Sequence, residues 1–462
     1  MHILKAQVQS YAAHFNSAFE KHYSKRRRPY FTPRRSIGRS VELELSIPNL
    51  SGSCEKKMCD EIASPEVQDV KSSDVSTFGN LCVDIVLGVP ELPPSSPEAR
   101  LAYANELASQ PPDKRFWEAG GNCNVTIAAS RLGLNCSAIG HVGDEIYGRF
   151  LLDVLGEEGI QMSRLISPEA SIPSPYNTLL CWVLVDPLQR HEFCSVADFS
   201  EVPALSWITT LNETVKSAIR QSKILFFNGY VFDELPPSVL VSALDYAAEV
   251  NTSVFFDPGP RAKKLIKGTP EEQRALTHFS KMSDVLLLTS EEAESLTGIK
   301  HPILAGQELL RNSMRTKWVI VKMGEKGSVL ITNSSVSCVP AFEVNVVDTV
   351  GCGDSFVAAV AYGCLHGLPL VHTLVTANAV GAATAMGCGA GRHVASLEGV
   401  RQILSASNIV EDYQFWMDLL KPIQAKDTIH LTGKFPHPIK RDFNFVPLNN
   451  VINEVLANLP LP

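Results

Sequence analysis

Four short, nearly unbroken apolar runs, at 224–230, 253–259, 284–288 and 318–322, constrain the fold of this chain more than any other feature. Helical stretches separate them, at 237–250 and from Glu291 to a stop at Gly298. A strand that is apolar at every position must be covered on both faces. Strands of that kind alternating with helices call for a mostly parallel sheet between two helical layers. A β-rich run at 76–87, a strand at 136–143 and a helix at 146–157 lead into the same pattern. At 462 residues the chain can hold one large α/β unit and appended segments. Ligands of such sheets bind beyond the carboxyl ends of the strands. Asp84, Asn228, Asp257, Glu292, Gly324 and Asp354 all read as lying at or just after strand ends.

The stretch Asp348-Thr349-Val350-Gly351-Cys352-Gly353-Asp354-Ser355-Phe356 sits at one of these junctions. Residues 342–347 before it read as a strand, and the small apolar residues 356–365 after it as a buried helix. Gly351 and Gly353 let a ligand approach the main chain. The free N–H groups of a helix start, with the dipole behind them, form an anion site. Asp354 stands in that mouth as a base, and the dipole favours its ionised form. The plainer reading is a structural turn with a capping Asp, so the rest of the chain has to decide.

A second glycine-opened helix runs through Gly120-Gly121-Asn122-Cys123-Asn124 to Gly133, a C-cap position. Asn124 falls in its first turn, where simple capping is the plainer role. Asp84 is unexpected within an apolar run. It reads either as an edge-strand acid facing water or as an acceptor for ligand hydroxyls. The Pro-rich segment 88–116 reads as a loop or flap, and 177–196 as a hairpin around Asp186-Pro187. His141 and His191 are isolated and read as structural.

Charge is unevenly spread. The net charge is −8, yet residues 1–40 carry nine Lys/Arg against Glu20 alone, a head of +8 on a remainder of −16. The acidic remainder argues against non-specific nucleic-acid binding. A basic, acid-poor, Ser-containing head resembles an organelle transit peptide, with plastid preferred and mitochondrion the alternative. Lys25-Arg26-Arg27-Arg28-Pro29 also reads as a nuclear-import cluster. Residues 41–72 read as a linker closing a leader of 1–72. Residues 399–462 lose the alternation, with helical pieces at 400–407, 411–421 and 448–458 around an irregular 422–445, and read as a C-terminal extension. The eleven cysteines are scattered without a Cys-x-x-Cys pair and read as reduced thiols. No apolar run is long enough to span a bilayer.

The pair of stretches 120–133 and 348–356, some 230 residues apart, resembles the two signatures of the ribokinase/pfkB carbohydrate kinase family, over roughly 73–398. Within that family the chain looks closest to plant plastid-type members. The resemblance implies a ribokinase-like three-layer α/β/α fold with a small β-lid, its parts at about 85–118 and 176–198. It implies Asp354 as catalytic base and Gly351, Cys352 and Gly353 as the anion hole for the γ-phosphate. Asp84, Asn80, Gly120, Gly121, Asn124 and Asn228 would contact the sugar. Thr289, Glu292, Lys322, Gly324, Gly327, Asn378 and Gly389 would lie on the ATP side, with Glu292 reaching Mg²⁺ through water. Asp348 and the loop 387–391 lie where many members bind K⁺. Thr289 stands where the family carries Asn, and Cys352 where it usually carries Ala.

The resulting expectation is ATP-dependent phosphorylation of a small-molecule sugar or nucleoside, with no nucleic-acid or membrane partner. The lid hairpin offers a surface for a homodimer. The alternative is a catalytically weak kinase-fold regulatory or assembly factor in the plastid, to which Thr289 and the extension point. A dinucleotide-binding oxidoreductase is set aside because no Gly-x-Gly-x-x-Gly follows the first strand.

Overall fold

Fifteen strands form two sheets among the residues described in the computed structural model: 71–94, 96–109, 112–165, 177–187, 190–195, 202–387, 390–423, 428–434 and 443–461. Residues 1–70 of the expected leader and Gly389 lie outside them, as do parts of the expected lid. The strands are β1 (Ser73–Phe78), β2 (Leu81–Gly88), β3 (Trp117–Gly121), β4 (Cys136–Gly140), β5 (Gln161–Arg164), β6 (Leu179–Val185), β7 (His191–Cys194), β8 (Ser222–Asn228), β9 (Ser253–Asp257), β10 (Val285–Thr289), β11 (Trp318–Lys322), β12 (Ser328–Ile331), β13 (Ser335–Val339), β14 (Thr428–Gly433) and β15 (Phe443–Pro447).

The large sheet has the order β15-β14-β13-β12-β11-β10-β9-β8-β1-β4-β5. Pairing is parallel from β5 to β11, antiparallel around β12, and parallel again from β13 to β15. Side-chain alternation explains the helical layers. Val285 and Leu287 of β10 enter one core, with the Cys352–Leu365 and Leu370–Ala385 helices. Leu286 and Leu288 enter the other, with the Pro237–Glu249 and Pro270–Met282 helices.

The small sheet, β3-β2-β6-β7, is the lid. The apolar run at 76–87 is therefore two strands in two sheets. The chain breaks at Gly79 and Asn80, both with positive φ, and so passes from the main sheet into the lid. Asp84 is thereby mid-strand in β2, between β3 and β6, rather than at a strand end.

Three other expectations are corrected. Residues 342–347 form no strand: Phe342 makes one isolated bridge to Ile409, and Val347 donates to the Ala385 carbonyl at 2.8 Å. This segment lies along loop and helix ends, without a neighbouring strand to continue a ladder. The segment 88–116 is not all loop, since Pro97–Ala108 is a helix capped by Ser96, whose Oγ accepts from Ala99 N at 3.3 Å. Residues 399–462 are no loose appendage. β14 and β15 extend the main sheet, and the Leu448–Asn458 helix packs against the Leu370–Ala385 helix. Among the described residues no helix is long and apolar enough to cross a membrane.

Candidate active site

Gly351 has φ +76°, a left-handed conformation that favours glycine and lets the chain turn sharply into the helix beginning at Cys352. Asp354 occupies that helix's first turn. Its Oδ2 accepts from Asn124 Nδ2 at 3.0 Å, and Asn124 Oδ1 accepts from Gly391 N at 2.7 Å. One amide thus joins the two glycine-opened helices and the loop after the Leu370–Ala385 helix. Asn124 does not act as a mere cap. Burial pushes the Asp354 carboxyl up to about 6, partly offset by the Asn124 hydrogen bond; Asp257 raises it further and Lys322 lowers it. Burial outweighs the helix dipole, yet the group stays mostly ionised at pH 7.

Asp354 lies on the wall of a cavity of about 630 Å³ that reaches up to the lid. Asp84, 4% exposed, faces the same cavity from β2. Burial pushes its carboxyl up to about 7; the Cys82 thiol, 3.4 Å away, opposes the shift, and Asp354 adds to it. Gly120 on β3 is glycine because a Cβ there would come within 2.1 Å of the Asp84 carboxylate. The hydroxyl-acceptor reading of Asp84 therefore has a built setting, and the exposed edge-strand reading does not. Asn80 and Gly121 also line the cavity. Asn228, at the end of β8, donates through Nδ2 to Asn122 Oδ1 at 2.8 Å and keeps its own Oδ1 unpartnered.

Beyond Gly353 the surroundings change to a charged cluster. Lys322 Nζ, at the end of β11, lies 3.7 Å from where a Cβ on Gly353 would stand, and 2.5 Å from Asp257 Oδ2. Burial opposes the Lys322 charge, but Asp257 and Glu292 prevail and raise its pKa. Thr289 and Glu292 cap each other. Thr289 Oγ1 accepts from Glu292 N at 3.3 Å, and Glu292 Oε2 accepts from Thr289 N at 2.7 Å. Thr289 thus serves here as a helix cap. Burial and Asp257 push Glu292 upward, and Lys322 opposes them. Burial also pushes the Cys352 thiol up to about 12, so it stays neutral.

Gly324 and Gly327 form the turn after β11. The Asn378 amide is committed to structure: Nδ2 donates to the Val339 and Pro340 carbonyls, and Oδ1 accepts from Ser328 Oγ. It braces the wall rather than reaching into it. Asp348 Oδ1 accepts from Val350 N at 3.0 Å, and its own N–H donates to the Ala385 carbonyl. Gly389 falls outside the described residues. His191 lines the cavity, while His141 packs edge-on against Trp207.

Sequence reasoning missed two features. Glu118, 1% exposed in lid strand β3, is bound by Arg392 at 3.0 Å and His393 at 3.1 Å, which ties lid to main body. Glu234, in the short helix after β8, is buried against the cavity. The second of two adjacent acids, Asp233-Glu234, gives no signal of either burial or direction.

The sequence profile of the pfkB family carbohydrate kinases matches residues 74–394. This chain belongs to that family. Fructokinase-1 of Zea mays is 26% identical over 321 residues, covering 67% of this pfkB kinase and 91% of the maize protein. A ribokinase-like E. coli protein solved with ATP and Mg²⁺ superposes with a TM-score of 0.58 at 21% identity, covering 72% of this chain and 99% of its own. Arabidopsis thaliana ribokinase, complexed with ribose and ATP, superposes with a TM-score of 0.53 at 18% identity, covering 72% and 98%. The fold is ribokinase-like and the pfkB chain is a carbohydrate kinase. Its last 68 residues lie beyond the matched profile, which stops at Arg392-His393-Val394 beside the lid clamp.

Proposed function

We propose that this pfkB kinase transfers the γ-phosphoryl group of ATP to a hydroxyl of a sugar or nucleoside, with Asp354 as the base. The observation that carries this reading is the placement of Asp354. It is oriented by Asn124, shares a cavity with Asp84, and stands one residue from the Gly353 cradle that Lys322 overlooks. The acceptor hydroxyl lies between Asp84 and Asp354 and loses its proton to Asp354. Its oxygen bonds to the γ-phosphorus as the bond to the ADP oxygen breaks. The transition state is loose, so positioning and charge stabilisation dominate. Backbone N–H groups at Gly351–Gly353 and the Lys322 ammonium meet the charge on the transferred group. Glu292 would face a bound Mg²⁺ through water, and the ion would supply further neutralisation of phosphate charge. Among the described residues no group of three or more His, Cys, Asp or Glu is arranged to hold a metal, and this reading needs none. A K⁺ ion beside Asp348 and a plastid address in the basic leader complete the proposal. The lid hairpin formed by β6 and β7 is the surface proposed for pairing two copies.

The test is a panel of fructose, ribose, adenosine, inosine, uridine and pseudouridine with ATP and Mg²⁺, scored by ADP release, for wild type and Asp354→Asn. Turnover in wild type and its loss in the variant, with ATP still bound, is the expected result. No turnover on any acceptor by wild type that binds ATP would point instead to a regulatory protein.

A further inference from the structure

Five carboxyls border the cavity, those of Asp84, Glu192, Asp233, Glu234 and Asp354, against two arginines, Arg100 and Arg261. Both arginines are ion-paired. Arg100 Nη1 lies 2.6 Å from Glu192 Oε2, and its Nη2 donates to the Phe193 carbonyl; Arg261 Nε lies 2.5 Å from Asp233 Oδ2. Residues 166–176, 188–189 and 196–201, which flank the lid hairpin in sequence, contain no Lys or Arg. Two buried side-chain atoms on this wall outside the Asp233–Arg261 ion pair, Asn228 Oδ1 and Glu234 Oε1, have no hydrogen-bond partner. Asn228 is 8% exposed and Glu234 4%. Glu234 is held by its other oxygen, Oε2, which accepts from Asn80 N at 2.6 Å beneath the β1–β2 break.

A buried polar atom without a partner is a standing penalty that a bound group can relieve. The partner these two atoms fit is a hydroxyl. Asn228 Oδ1 accepts. Glu234 Oε1 accepts when ionised and donates when protonated, and a hydroxyl can meet either form. A ligand carboxylate or phosphate cannot bond to Asn228 Oδ1 at all. Its charge would also meet the Asp84 and Asp354 carboxyls in a poorly solvated space where both arginines are ion-paired. We infer that the acceptor substrate is a neutral polyhydroxy compound, a free sugar or a nucleoside and not a sugar acid or sugar phosphate, and that Glu234 binds one of its hydroxyls together with Asn228. This rests on the phosphotransfer reading above. Burial favours the protonated Glu234 carboxyl, raising it to about 8, in keeping with a site built for a neutral guest.

The experiment compares kcat/KM of the full chain, with ATP and Mg²⁺, for neutral acceptors (fructose, ribose, adenosine) and anionic ones (gluconate, fructose 6-phosphate). It then repeats the best acceptor with Glu234→Met, which keeps the side-chain volume and leaves no polar atom for the acceptor hydroxyl. Neutral acceptors should lead. The variant should raise the acceptor KM about 10- to 100-fold, the size of one lost hydrogen bond to a buried carboxyl, and leave the KM for ATP as in wild type. One deoxy analogue of the acceptor should show the same loss in wild type and no further loss in the variant, a pattern that a merely structural role does not produce. An anionic acceptor with the higher kcat/KM overturns the inference while leaving phosphotransfer standing. So does a Glu234→Met enzyme with an unchanged acceptor KM. Absence of turnover on every acceptor removes the phosphotransfer reading and this inference with it.

Discussion

Asn124 Nδ2 donates to Asp354 Oδ2 at 3.0 Å across 230 residues of chain, while Asn124 Oδ1 holds the Gly391 amide. The first glycine-opened helix therefore aims the side chain of the second. Asn124→Ala removes the bond that orients Asp354 and helps keep it ionised. We expect kcat to fall about 10- to 100-fold, the scale of one lost hydrogen bond to a charged group. Asn124→Asp should fall further and move the acid limb of the pH profile upward, because it sets a second carboxylate against Asp354. Steady-state kinetics across pH on both variants separate the two effects.

The pH profile of wild type follows from Asp354 and Asp84. Both carboxyls are raised by burial, to about 6 and about 7, and Asp354 adds to the Asp84 shift. Asp354 must be ionised to take a proton, so kcat/KM for the acceptor should decline as pH falls below about 7 and steepen below about 6. The two limbs belong to the pair. ATP binding, measured by calorimetry over the same range, should show no matching decline. A flat kcat/KM from pH 5 to 8 would remove Asp354 as the base.

The strand–helix alternation was legible because burial on both faces writes itself into composition, as in Val285-Leu286-Leu287-Leu288 feeding two cores. The site was legible where backbone geometry demands glycine, at Gly120 and Gly351. The break at Gly79-Asn80 was hidden, because β1 and β2 follow each other with only these two residues between them and the positive φ values alone mark the turn. Glu234 was invisible for a different reason: its burial depends on Asn80, 154 residues away, so no local period records it. The extension misled through its prolines, since β14 gains its ladder from β13, nearly a hundred residues earlier, and β15 from β14.

Lys322 is suspended between Asp257, at 2.5 Å, and Glu292, and it lowers the pKa of Asp354. Lys322→Met removes a cation from the phosphate side and leaves two acids uncompensated. ATP affinity should fall, and the acid limb assigned to Asp354 should move to higher pH. Binding calorimetry with an ATP analogue and the kcat pH profile read the two consequences separately. A variant that loses ATP affinity with no pH displacement would show that Lys322 serves the nucleotide alone.

The C-terminal residues lie beyond the matched family profile yet carry part of the core. Ile429 pairs with Val336 across the β13–β14 ladder, and Leu448, Val451, Ile452 and Val455 are buried over the Leu370–Ala385 helix that carries Asn378. Tyr362 Oη donates to the Asn458 carbonyl at 2.7 Å from the helix that begins at Cys352. Burial of each large aliphatic side chain stabilises by about 1.5–3 kcal/mol, and a folded domain holds only about 5–15 kcal/mol in all. A chain ending at Ile423 should therefore lose its cooperative thermal transition, or melt tens of degrees lower, and elute as aggregate on size exclusion. A soluble, monodisperse truncated protein with wild-type kcat would mean that β14, β15 and the last helix decorate a kinase complete without them.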